Sequence, residues 1–191
     1  EVLKASAISK EDERAHFGFS SGLPVLLVLG GGTGALGLNR AISADKTELL
    51  KSFNIIHIVG KGKGEVKKES GYFPAEFLGR VELPFALAAA DIAFSRAGMG
   101  TISELATLNL PIVLAPIPKS HQEENAAYLS KQGAAFVLKE NDIVCGDFVN
   151  VLVRLYGDAP MVEELKKNMK MIFPAGAAEA VARIWRPGAL N

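Results

Sequence analysis

Short runs of unbroken apolar residues alternate along this chain with longer segments of helical spacing, and that alternation restricts the fold more than any other feature. Val25-Leu26-Leu27-Val28-Leu29 is the first such run. Ile55-Ile56-His57-Ile58-Val59, Ile92-Ala93-Phe94-Ser95, Ile112-Val113-Leu114-Ala115 and Ala135-Phe136-Val137-Leu138 are others. A strand that is apolar at successive positions needs cover on both faces, the condition of a strand inside a parallel sheet. Ala35 to Phe53, Pro84 to Ala90, Thr101 to Leu108 and His121 to Gln132 have helical spacing, the last closed by Gly133. From Asp142 onward the chain reads as about three more helical pieces. Strands alternating with helices give βαβ units, so the fold class is α/β: a Rossmann-like parallel sheet with helices on both faces. Glu76 to Val81 reads as a further strand, and residues 60–71, with four glycines and several lysines, as an exposed loop. Ahead of the first strand, Ser9 is an N-cap for a short helix ending at Gly18, and Ser20-Ser21-Gly22 with Pro24 is a break.

The chain has 191 residues, the size of one ordinary domain. At this length about 70% of the extended surface can be buried, so no staples are needed. The single cysteine, Cys145, excludes an internal disulfide and a multi-cysteine zinc site. Lysine plus arginine (21) equals aspartate plus glutamate (21), which argues against a nucleic-acid partner. No apolar run approaches the roughly 18 residues of a membrane-spanning helix. No signal peptide is present, and the first residue is Glu1.

Two glycine-bearing turns follow strands. Gly32, Gly34 and Gly37 in Gly30-Gly31-Gly32-Thr33-Gly34-Ala35-Leu36-Gly37 form a G-x-G-x-x-G ahead of a helix. Such a turn admits close approach of backbone to a ligand, and the following helix offers N–H groups to an anion. A dinucleotide site also needs an acid after the second strand, and Val59-Gly60-Lys61 has none. No Gly-Lys-Ser/Thr follows, so a P-loop is excluded. A tight packing turn and a ligand loop both remain open. The second turn, Ser95-Arg96-Ala97-Gly98-Met99-Gly100-Thr101, opens another helix. Thr101 and Glu104 make a T-x-x-E capping box, the simpler reading of both residues from spacing alone. Ser120 to Glu123 is a second such box, with His121, Gln122 and Asn125 clustered on the first turn of its helix.

The stretch SRAGMGTISELATLNLPIVLAPIPKSHQEENAAYLSKQGAA, with the first glycine turn, Leu38 and Asn39, resembles the donor-binding half of the MurG-type GT-B glycosyltransferases. The lead-in Glu13 to Phe19 resembles that family's short helix before the first strand of the domain. The resemblance covers nearly the whole chain and is strongest from Leu23 to Leu138. It implies a lead-in segment over residues 1–22 and a nucleotide-sugar donor-binding domain over 23–191. It implies an inverting transferase that moves GlcNAc from UDP-GlcNAc to a lipid-pyrophosphate-linked acceptor in peptidoglycan synthesis, lipid I becoming lipid II. The alternative readings are the donor subunit of a bipartite GlcNAc or glycolipid glycosyltransferase, and a non-catalytic nucleotide-sugar binding module.

Residue by residue, the resemblance gives Glu104 to the ribose hydroxyls of UDP. It gives Met99, Gly100 and Thr101 to the diphosphate, and Gly31, Gly32, Thr33 and Gly34, with Asn39 behind them, to the cleft near phosphates and acceptor. Phe77 and Leu78, followed by Gly79, hold the uracil through backbone contacts. His121, Gln122 and Asn125 meet the sugar, and Arg96 is structural. Gly32 and Thr33 stand where the family has Ser and Gln, and the region from Gly79 to Pro84 departs from the family pattern. Helix N-termini replace a metal in stabilising the leaving diphosphate, so no cofactor and no metal are expected, and no Asp-x-Asp motif is present. The general base, the lipid-linked acceptor and any membrane contact belong to an N-terminal domain that precedes this one in the family. No catalytic residue is therefore expected in this chain, which binds donor but does not turn over alone. The full-length enzyme is expected in the cytoplasm, peripheral to the inner face of the cell membrane.

Overall fold

A computed structural model describes residues 9–20, 22–30 and 35–174. The helix α1 (Lys10–His16) starts at Ser9, whose hydroxyl accepts from the Asp12 N–H, and ends before Gly18 at φ +77°. Then follow β1 (Val25–Leu29), α2 (Leu36–Ala44), α3 (Lys46–Leu49), β2 (Asn54–Ile58) and β3 (Tyr72–Ala75). The second half is α4 (Glu82–Ala89), β4 (Ile92–Ser95), α5 (Met99–Thr107), β5 (Ile112–Leu114), α6 (His121–Lys131) and β6 (Phe136–Val137). It closes with α7 (Glu140–Val144), α8 (Asp147–Gly157) and α9 (Ala159–Ile172).

The six strands form one parallel sheet in the order β3-β2-β1-β4-β5-β6. β1 is apolar throughout because alternate residues enter different cores. Val25, Leu27 and Leu29 pack with Phe17, Phe19 and residues of α4, α5 and α6. Leu26 and Val28 pack with residues of α2, Phe53 and residues of α7 and α8. Residues 9–20 are tied to the sheet by Asp91, which accepts from Lys10 Nζ (2.6 Å), Arg14 Nη2 (2.6 Å) and the Val25 N–H (2.7 Å). Among the described residues no helix is long and apolar enough to cross a membrane.

Two expectations are corrected. The segment from Ala35 to Phe53 is two helices, because Asp45 leaves helical geometry (ψ 14°) and ends α2 while starting α3. A short acidic side chain favours caps over helix interiors. The third strand is Tyr72–Ala75, while 76–81 is irregular until α4. Its sequence hides it. Pro74 cannot donate to a ladder, which is tolerated only on the edge strand that β3 is.

Candidate functional site

The strand order places β1 and β4 side by side while the chain leaves them in opposite directions across the sheet. The crevice beyond their carboxyl ends is where open α/β sheets of this order bind ligands. The β4–α5 and β5–α6 connections meet there. Gly31, Gly32, Thr33 and Gly34, expected to line the cleft, lie outside the described residues.

Gly37 is described, and its role is packing. A Cβ there would come within 2.8 Å of Glu140 Oε1 and 3.0 Å of Arg96 Nη2. The third glycine of the G-x-G-x-x-G thus leaves room for a partly buried ion pair. Arg96 donates to both Glu140 carboxylate oxygens (2.6 and 3.1 Å) and to the Ala115 carbonyl (2.9 Å). Its guanidinium joins the β4–α5 connection to the end of β5 and to α7, a structural role.

α5 begins two residues earlier than the spacing suggests. Gly98 is its N-cap, in extended conformation, and Ile102 N–H closes the first turn on Gly98 O at 3.0 Å. Thr101 is therefore the third helical residue and Glu104 the sixth, so the T-x-x-E box does not form. Glycine has no side chain with which to cap, and the N–H groups of Met99, Gly100 and Thr101 receive no side-chain cap. Nothing in the described structure lies within 4 Å of a Cβ built at Gly98 or Gly100, and neither has positive φ. Internal packing gives no reason for glycine at either position. Met99 and Glu104 are exposed on this helix, and the Glu104 carboxylate has no hydrogen bond or ion pair among the described residues.

α6 starts at Ser120, whose hydroxyl accepts from Gln122 N–H (3.3 Å). Glu123 reaches past the N-cap to the Lys119 N–H (3.0 Å), so the second expected box is not reciprocal either. His121 is exposed. Gln122 Oε1 accepts from the N–H groups of Ala97 and Ile117, both at 3.2 Å, and Asn125 Nδ2 donates to the Ala97 carbonyl at 2.9 Å. Both side chains thus touch the loop that feeds α5.

Asn39, expected at the cleft, has internal hydrogen-bond partners. It is buried, with Nδ2 donating to the carbonyls of Val59 (2.7 Å) and Lys63 (3.1 Å) and Oδ1 facing His57 Nε2 (3.0 Å). Its role in this structure is to hold the 59–63 loop against α2. The Asn39 oxygen can only accept, so His57 Nε2 carries the proton and Nδ1 accepts from Tyr72 OH (2.9 Å). Burial suits this neutral pair: it lowers the His57 pKa to about 4. Burial, with Glu69 and Glu65 nearby, pushes Tyr72 up to about 12. Phe77 is exposed and Leu78 is buried in the core. His57, Tyr72 and Glu140 were not singled out by motif; their partners are 15 to 44 residues away, beyond any local pattern.

Among the described residues no group of three His, Cys, Asp or Glu side chains is placed to hold a metal ion. Two cavities of about 370 Å³ lie by the segments that precede β4 and β5, one lined by residues that include Lys10, Asp91, Asn109 and Lys166. That is the amino end of these strands, opposite the crevice.

The sequence model of the glycosyltransferase family 28 C-terminal domain matches residues 25–184. The chain is 37% identical over 157 residues to a UDP-N-acetylglucosamine–N-acetylmuramyl-(pentapeptide) pyrophosphoryl-undecaprenol N-acetylglucosamine transferase of Lachnoclostridium phytofermentans, covering 79% of this chain and 44% of that protein. It is 42% identical over 136 residues to the transferase of the same name from Clostridium kluyveri, covering 68% and 38%. The chain thus spans under half the length of these curated relatives. Among solved structures it is similar to MurG of Acinetobacter baumannii, with TM-score 0.66 and 23% identity over 94% of this chain and 53% of that one. It is also similar to the calicheamicin glycosyltransferase CalG4, with TM-score 0.67 and 18% identity over 85% and 43%. These two likenesses bear on the fold alone.

Proposed function

The chain belongs to the glycosyltransferase family 28 C-terminal domain family, and from that membership we propose that it binds the nucleotide-sugar donor of an inverting glycosyltransferase. The donor is UDP-GlcNAc, and the acceptor is a lipid-pyrophosphate-linked muramoyl-pentapeptide. This is the reaction in the names of the transferases that the chain resembles at 37–42% identity.

The observation that carries the reading is the start of α5. An uncapped first turn at the carboxyl end of β4 directs the N–H groups of Met99, Gly100 and Thr101 at whatever occupies the crevice. Those groups and the helix dipole favour a diphosphate, and they favour it more as it leaves with growing negative charge. The open space at Gly98 and Gly100 lets phosphate oxygens approach the backbone. Glu104, one turn farther along, accepts from the ribose hydroxyls. The backbone of Phe77, Leu78 and Gly79 holds the uracil, and His121, Gln122 and Asn125 face the sugar.

The acceptor hydroxyl attacks the anomeric carbon as UDP departs, and its proton goes to a base on an acceptor-binding half. That half also supplies contact with the inner face of the cell membrane. Residues 23–191 form the donor domain, with 1–22 a lead-in. Calorimetric titration with UDP-GlcNAc, UDP-glucose, UDP-galactose and NAD tests the reading. Binding of UDP-GlcNAc without NAD binding is expected. Binding of NAD with UDP-GlcNAc silent would return the glycine turn to a dinucleotide role.

A further inference from the structure

The donor-site reading gives Gln122 and Asn125 to the sugar, yet their best-defined partners are both on one residue of the protein. Ala97 is fully buried and immediately precedes Gly98, the N-cap of α5. Its N–H donates to Gln122 Oε1 at 3.2 Å, and its carbonyl accepts from Asn125 Nδ2 at 2.9 Å. The same Gln122 oxygen also takes the Ile117 N–H, so it bridges the β4–α5 and β5–α6 connections. Both of its partners are backbone donors, which fixes the amide orientation: oxygen toward the loops, nitrogen elsewhere. Ser120 sets the start of α6 and hence the position of Gln122.

A residue whose two flanking peptides are both held has little freedom in φ or ψ: the Ala97 N–H fixes the peptide before it and the Ala97 carbonyl fixes the peptide it shares with Gly98. Gly98 is the residue whose carbonyl closes the first turn of α5. We propose that Gln122 and Asn125 are positioning residues for the diphosphate: by clamping the backbone on both sides of Ala97 they set the direction in which α5 presents the N–H groups of Met99, Gly100 and Thr101. The proposal rests on the donor-site reading and adds a role that needs no contact with the sugar. Small misalignment of preorganised donors weakens an electrostatic site sharply.

The test is a ligand series on the full chain: uridine, UDP and UDP-GlcNAc, titrated by calorimetry and by amide NMR. The variants are Gln122→Met, which keeps length and loses the acceptor, and Asn125→Ala, which removes one hydrogen bond. The clamp requires that each variant lower UDP affinity about five- to tenfold while uridine affinity stays within about twofold. In Gln122→Met the Ala97 and Ile117 amide resonances shift as their acceptor is lost. Retained UDP affinity with a loss only for UDP-GlcNAc would overturn the proposal and leave both residues as sugar contacts. Parallel loss of uridine and UDP affinity would overturn it too, as general damage to the fold. If Gln122→Met fails to fold, Asn125→Ala carries the same comparison. A wild-type chain that binds no UDP overturns the donor-site reading itself and the clamp with it.

Discussion

At Glu104 a single position separates a local pattern from its three-dimensional meaning. The T-x-x-E spacing is a helix-start signature, but α5 starts at Met99, so the carboxylate lies beyond the reach of the N-cap. Glu104→Gln is therefore expected to leave the melting temperature nearly unchanged. UDP affinity is expected to fall about tenfold or more, since a charged acceptor for two hydroxyls is lost. A 2′,3′-dideoxy analogue should lose much less. Equal UDP affinity in the two proteins, measured by calorimetry, would remove Glu104 from the site. His57 gives a second residue-scale prediction. Its pKa falls from the ordinary 6.5 to about 4 because burial disfavours the charged ring. Between those values the unfolded chain holds the proton and the folded chain does not. Stability is thus complete above pH 6.5 and declines as pH falls toward 4, by up to about 3 kcal/mol. Denaturant melts across pH 7 to 5 should show this slope in wild type and a flatter one in His57→Gln. Equal slopes would mean that His57 is not held neutral.

The elements that were legible in the sequence are those whose pattern is local. β1, β4 and β5 lie inside the sheet with both faces covered, so their residues are apolar except Ser95 and their bounds read within a residue. β3 was misplaced because it is an edge strand, half-buried and interrupted by Pro74. The break at Asp45 was missed because apolar spacing continues across it. The pairing of Arg96 with Glu140 was invisible for a different reason: it spans 44 residues and joins two connections that no motif relates. That pair gives the prediction at this scale. Gly37→Ala would ordinarily strengthen α2 by up to about 1 kcal/mol through helix propensity. Here the new methyl would sit 2.8 Å from a carboxylate oxygen locked in a two-pronged ion pair, so overpacking is the larger effect. The expected result is a net loss of about 1–2 kcal/mol. Glu140→Ala should remove that penalty, so the double variant is more stable than the sum of the singles predicts. Strict additivity in the cycle would show that Gly37 and Glu140 do not meet.

For the molecule as a whole, the fold class followed from the alternation of strand and helix, but the strand order did not. The order 3-2-1-4-5-6 is what brings the end of β1, the start of α5 and the start of α6 to one end of the sheet. The sequence offered the last two as separate helix starts rich in glycine and polar residues; only the sheet says that they are neighbours. That crevice offers the uncapped N–H groups at the start of α5, and the proposed reading assigns it a leaving diphosphate and a ribose, but neither the base nor the acceptor's binding surface. Transfer needs all of these at once, because a base and a bound acceptor supply factors of about 10² or more each over the free reactants. The 191 residues alone are therefore expected to bind UDP-GlcNAc, with affinity unchanged by EDTA, and to give no detectable transfer of labelled GlcNAc to a soluble muramoyl-pentapeptide pyrophosphoryl lipid analogue. Adding an acceptor-binding half from one of the full-length relatives, joined through residues 1–22, should restore turnover that depends on Glu104 and remains indifferent to EDTA. Robust transfer by the 191 residues alone would place a base within this chain and overturn the division of labour. Turnover of the joined protein that is abolished by EDTA would instead give the leaving diphosphate to a metal rather than to α5.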